Sequence, residues 1–125
     1  MDIKRFDITR PPGPRMSRLI VRGDMVYICG ITRPDSAKDV IGQTKAVLDA
    51  IDKYLAMAGT TRSQLLTAQF WLKDMKDFND MNSVWNDWVD PENPPVRACI
   101  RADMTRPETL IEIMVTAALP APAKK

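Results

Sequence analysis

The sequence predicts an α+β fold, a single mixed β-sheet with two helices packed on one of its faces. The candidate elements run strand, β-hairpin, helix, strand, helix, strand, strand, with no internal repeat and no linker-like stretch. Each helical segment carries one apolar stripe, which one sheet face can cover. A length of 125 residues suits one domain with one core, with 1–119 folded and 120–125, Pro-Ala-Pro-Ala-Lys-Lys, expected as a short disordered tail.

Residues 3–8 alternate weakly and read as a first strand. It cannot run on through Pro11, Pro12 and Pro14, because proline supplies no ladder donor. Residues 17–22 and 25–30 read as the arms of a hairpin turning at Gly23-Asp24. Gly30 closes the second arm, either as a plain loop glycine or as a place where a ligand or another backbone comes close. Asp35 or Ser36 is placed to cap a helix that runs to Ala58 and stops at Gly59. Its apolar stripe comprises Val40, Ile41, Thr44, Val47, Leu48, Ile51, Leu55 and Ala58, with Lys38, Lys45, Asp49, Asp52 and Lys53 expected in solvent. A strand over 66–73 sets Leu66, Ala68, Phe70 and Leu72 against Thr67, Gln69, Trp71 and Lys73. Asp77 caps a second helix reaching Val89, with Phe78, Met81, Trp85 and either Trp88 or Val89 inward; these aromatics read as core. The proline-rich stretch 90–95 ends it.

Two more strands, within 93–104 and 110–118, flank the turn-like Thr105-Arg106-Pro107-Glu108. Alternation puts Val96, Ala98, Ile100, Ala102 and Met104 on one face of the first, and Arg97, Cys99, Arg101 and Asp103 on the other. In the second, Ile111, Ile113, Val115 and Ala117 oppose Leu110, Glu112, Met114 and Thr116. The face away from the helices is expected to carry Arg97, Cys99, Leu110, Glu112 and Met114, so that guanidinium, thiol and carboxylate meet on neighbouring strands. That face is too apolar in part to stand in water, which points to self-association. A carboxylate among apolar neighbours has to be paired, neutralised or wetted by a cleft. Arg97 and Glu112 therefore read as the heart of a site, as an interface ion pair, or as two separate solvent-facing charges. Arg101 and Asp103 read as an ion pair near the strand end.

Composition narrows the chemistry. The chain has no histidine, which removes Ser-His and Cys-His nucleophile pairs, imidazole metal sites and a histidine base. Cys29 and Cys99 have no metal-ligand or redox spacing and read as reduced core thiols of a cytoplasmic protein, so no metal is expected. A formal charge of +2 gives no reason to propose nucleic acid or an anionic membrane as partner. The N-terminal residues lack the apolar core of a signal peptide, and no run approaches membrane-spanning length.

Pro95-Val96-Arg97-Ala98-Cys99, followed by Glu112 within Ile111-Glu112-Ile113, resembles the RidA (YjgF) family of reactive-intermediate deaminases. Val26 to Gly30, the helix leading to Ala58-Gly59, Phe70 to Phe78 and Met81 to Trp85 also have counterparts in the same order, so the resemblance covers nearly the whole chain. It implies a chorismate-mutase-like subunit assembled as a homotrimer with clefts between subunits. It also implies cofactor-free hydrolysis of 2-enamine and 2-imine acids, such as 2-aminoacrylate, to 2-oxo acids and ammonia. Arg97 would bind the substrate carboxylate through its two-pronged fork, and Glu112 would activate water. Cys99, Gly30 and Asn82 match pocket-lining positions, and Cys29 stands where relatives often carry serine. One departure is clear: the tyrosine of many active members falls at Met16, which cannot donate a hydrogen bond. A competing reading is a non-catalytic protein of the same fold that binds 2-oxo acids in the intersubunit cleft. RNA cleavage, attached to some relatives, is weakened by the near-neutral charge and the missing histidine.

Overall fold

The computed structural model describes residues 1–122, so residues 123–125 of the expected tail lie outside the described residues. Six strands, β1 (Ile3–Ile8), β2 (Ser17–Arg22), β3 (Met25–Ile28), β4 (Leu65–Leu72), β5 (Val96–Arg101) and β6 (Ile111–Ala118), form one sheet in the order β1-β2-β3-β6-β4-β5. Two helices, α1 (Val40–Ala58) and α2 (Phe78–Trp88), cover one face of it, as the single stripes predict. Inward residues of the strands, Leu19, Val21, Val26, Ile28, Ala68, Phe70, Leu72, Ile111, Ile113, Val115 and Ala117, form one core with Val47, Leu48, Ile51 and Leu55 of α1 and Met81, Val84 and Trp85 of α2. No helix among the described residues is long and apolar enough to cross a membrane.

The β2–β3 hairpin turns at Gly23, whose φ of 60° is in the left-handed region that glycine enters without steric cost. The neighbours of β5 differ from expectation. β4, α2 and β5 make a crossover unit, which leaves β5 parallel to β4 and at the sheet edge. β6 then returns antiparallel between β3 and β4. The last two strands are consequently not a neighbouring pair, because β4 lies between them. A register shift between Leu65 and Thr67 also turns Leu65 inward and leaves Leu66 exposed, where simple alternation predicts Leu66 inside.

The first helix starts later than predicted. Asp39 is its cap, accepting from the Gly42 N–H at 2.7 Å, whereas Ser36 closes a turn on the Arg33 carbonyl. At the other end Gly59, at φ 91°, donates to Ala56 O at 3.0 Å, as expected of the stop. Asp39→Ala should lower stability by about 1 kcal/mol, read as a lower urea midpoint with unchanged slope. Asp52, expected in solvent, instead accepts from Arg62 at 2.7 Å and from the Trp88 indole at 2.9 Å.

Gln43 has no counterpart in the predicted stripe, yet it is fully buried. Its amide donates to Ala37 O and Glu108 O, at 3.0 and 2.9 Å, and its carbonyl accepts from Leu110 N at 3.0 Å. These three bonds tie the segment entering β6 to the start of α1. They hold Leu110 against the core rather than on the outer face with Glu112 and Met114.

Candidate functional site

Arg97 and Cys99 lie on the helix side of the sheet. Their parallel partners are Ala68 and Phe70, both inward, and partners across a parallel ladder share a face. Glu112 pairs with Trp71 and points to the open face. The expected common face for guanidinium, thiol and carboxylate is therefore wrong, and so is an Arg97–Glu112 ion pair within one chain. Two strand spacings of ~4.8 Å and three residues of ~3.3 Å separate their backbones by ~14 Å, before the opposed side-chain directions are counted.

The Arg97 half of the site is built by β5, β4 and α2. Phe78, Asn82 and Trp85 fall on one stripe of α2 and meet the edge strand. The guanidinium carbon lies 4.6 Å from the Phe70 ring centre and 5.9 Å from those of Phe78 and Trp85. One arm donates to Asn82 Oδ1 at 2.7 Å. Among the described residues no carboxylate stands within 4.0 Å of it. A half-buried cation on an aromatic platform, with donors to spare, is arranged to receive an anion. Burial pushes the neighbouring Cys99 thiol up, against a smaller downward pull from Arg97, so Cys99 stays a thiol at neutral pH.

The Glu112 half surrounds an irregularity between β3 and β6. Pairing runs to Tyr27–Thr116, then resumes at Ile31–Ile113 with reciprocal backbone bonds of 2.9 and 3.2 Å. One extra residue on the first strand bulges the chain at Cys29 and Gly30. The Glu112 carboxylate lies directly on Gly30: a Cβ there would overlap Oε2 and stand 3.1 Å from the carboxyl carbon. Gly30 is thus a place of close approach, made by the Glu112 side chain rather than by a ligand or another backbone.

Gly30, Cys29 and Met16 also line a polar cleft of about 160 Å³ together with Arg18, Arg33 and Tyr54. The last three were not recognisable from sequence, since Arg18 and Tyr54 read as ordinary outward residues of β2 and α1, and Arg33 as a loop residue. The Tyr54 hydroxyl donates to Asp7 Oδ2 at 2.5 Å, and Arg18 approaches the same oxygen at 3.8 Å. Burial and the Asp7 contact push Tyr54 up, so its hydroxyl keeps its proton. Burial likewise pushes the Cys29 thiol up, and the Arg18 and Arg33 guanidiniums draw it part of the way back. A larger groove of about 350 Å³ between α1 and α2, lined by Lys45, Arg62 and Trp88 among others, contains none of the predicted site residues.

A six-stranded sheet with two helices on one face, an arginine without a carboxylate partner at its edge and a carboxylate over a glycine bulge define a two-layer α+β subunit. The family model described as Endoribonuclease L-PSP matches residues 8–119. A RutC family protein of Haemophilus ducreyi is 39% identical over 117 residues, covering 94% of this chain and 97% of that protein. The 3-aminoacrylate deaminase RutC of Acinetobacter baylyi is 31% identical over 96 residues, or 72% of this chain and 75% of that protein. Among solved structures, NMB1025 of Neisseria meningitidis, a member of the YjgF protein family, superposes with a TM-score of 0.89 at 34% identity over 98% of both chains. The chain belongs to the RidA/YjgF family.

Proposed function

We propose that this protein hydrolyses reactive 2-imine and 2-enamine acids to 2-oxo acids and ammonia, at a site completed by a second copy of the chain. The observation that carries this reading is the division of the site. An unpaired, pre-oriented Arg97 and a carboxylate at Glu112 stand on opposite faces, so one small substrate reaches both only across an interface. The open face has the apolar surface for such an interface, with Tyr27, Val96, Ile100 and Met114 all exposed. A cyclic trimer closes that contact without leaving a free edge. The relative named as a 3-aminoacrylate deaminase acts on an enamine acid, which supports the reaction class.

In this mechanism Arg97 binds the substrate carboxylate with the donors that Asn82 leaves free, while the aromatic platform fixes the plane of the fork. The enamine tautomerises to the imine, whose C2 is electrophilic. Glu112 of the neighbouring copy accepts a proton from water as the water oxygen bonds to C2. Glu112 returns that proton to the nitrogen to complete the carbinolamine, and transfer of the carbinolamine hydroxyl proton to the nitrogen then breaks the C–N bond, releasing ammonia and the 2-oxo acid. No cofactor enters these steps.

Met16 in the cleft favours the second reading, a non-catalytic protein that binds 2-oxo acids, because a thioether offers no donor to substrate or water. A coupled assay of pyruvate release from 2-aminoacrylate separates the two. Hydrolysis well above the spontaneous rate is expected, with light scattering giving a mass near three times 14.1 kDa. Tight 2-oxobutyrate binding without acceleration would establish the binding protein instead.

Gly30→Ala offers a local check. A methyl group there has to displace the Glu112 carboxylate, so hydrolysis should fall about tenfold, equivalent to ~1.4 kcal/mol. A crystal structure of the variant should show the carboxylate moved off the bulge.

A further inference from the structure

We infer that the cleft beside Gly30 is a subsite for a second anionic group, and that the preferred substrates are imines of dicarboxylic amino acids. The reaction assigned to them rests on the function proposed above; the binding of a distal carboxylate stands on the cleft itself.

Two guanidiniums, Arg18 and Arg33, line this cleft, and Gly30, which carries the Glu112 carboxylate, borders it. Its volume of about 160 Å³ admits about five water-sized groups at ~30 Å³ each, enough for a methylene-carboxylate arm. Arg33 has no carboxylate within 4.0 Å among the described residues, and spends one arm on the carbonyl of Thr32 at 2.7 Å. Arg18 has a single carboxylate near it, Asp7 at 3.8 Å, beyond hydrogen-bonding distance. Arg33 therefore keeps most of its donors unspent, while Arg18, engaged with Tyr54 and Asp7, offers those that these two leave; each fork matches a carboxylate in shape.

Asp7 and Tyr54 orient Arg18, whose charge Asp7 offsets in part at 3.8 Å, whereas Arg33 meets no carboxylate among the described residues. Asp7 is the one non-glycine residue with positive φ among the described residues, at 54°. That backbone interrupts the pairing of β1 with β2 between Phe6–Leu19 and Ile8–Ser17. Such a conformation is unfavourable for aspartate in a strand and persists only where the surroundings hold it. Here it delivers the carboxylate to the Tyr54 hydroxyl, which takes up the Asp7 oxygen that Arg18 approaches. Of the negative groups nearby, Asp7 is held by the Tyr54 hydroxyl and Glu112 lies against Gly30.

The test uses two five-carbon probes that differ only at the far end, 2-oxoglutarate and 2-oxopentanoate, titrated calorimetrically into the full-length protein. At least tenfold tighter binding of 2-oxoglutarate is expected. Joint replacement Arg18→Met with Arg33→Met should bring the two affinities to within about twofold of each other. Tyr54→Phe, which removes only the hydroxyl, should reduce the preference about threefold. Arg97→Lys should weaken both probes and leave their ratio in place, because the 2-oxo acid end is common to both. Equal binding by the parent protein, binding of neither probe, or a preference that survives the double replacement overturns the inference. Imines generated from glutamate and norvaline by an amino-acid oxidase supply the kinetic arm, with kcat/KM at least tenfold higher for the former. Dicarboxylate preference in binding without any hydrolysis leaves the subsite standing and refutes the hydrolase. Hydrolysis without preference does the reverse.

Discussion

Glu112→Gln should reduce imine hydrolysis by about a hundredfold or more, because an amide cannot accept the proton of the attacking water. A positioned general base contributes on the order of 10²–10⁴ in rate. The replacement keeps size and shape, so the carboxamide still fits over the Gly30 bulge and no cavity opens. Binding of 2-oxobutyrate and the assembly mass should therefore persist while pyruvate release from 2-aminoacrylate stops. A Glu112→Gln protein as fast as its parent would leave only the ligand-binding reading.

The second large effect is expected at the other half of the site. Arg97→Lys keeps the charge but loses the fork, and one ammonium cannot present two parallel donors while also holding Asn82. It also loses the flat cation stacked on Phe70. A fall in kcat/KM of tenfold to a hundredfold is expected, or about 1.4–2.7 kcal/mol of transition-state binding. The assembly should survive, since Arg97 makes no ion pair among the described residues. Unchanged kcat/KM would place the substrate carboxylate elsewhere.

Both predictions draw on residues visible in the sequence, but their spatial relation was not. The period-two pattern of 95–101 sorts Arg97 and Cys99 onto one face correctly. It does not say which face of the sheet that is. The answer comes from the parallel register with β4, itself a consequence of the crossover through α2. Chain adjacency made β5 and β6 look like neighbours, and the return of β6 beside β4 separated them. The start of α1 was placed too early for a local reason: Asp35 and Ser36 have capping side chains, but Ser36 is taken up by a turn on the Arg33 carbonyl, Asp35 meets Arg106, and Asp39 caps the helix.

What the sequence by itself determined is the set of elements, the two-layer architecture, the glycine ends of the hairpin and of α1, and the family with its Arg97 and Glu112. These follow from short-range patterns, because side-chain periodicity and turn chemistry act within a few residues. The tertiary structure alone decided that Arg97 and Glu112 face apart, that Gln43 ties β6 to α1, and that Asp7, Arg18 and Tyr54 gather beside Gly30. Those relations join residues on different elements, up to 67 positions apart, and no local pattern specifies them. They arise when strand order, register and a one-residue bulge bring distant side chains within reach.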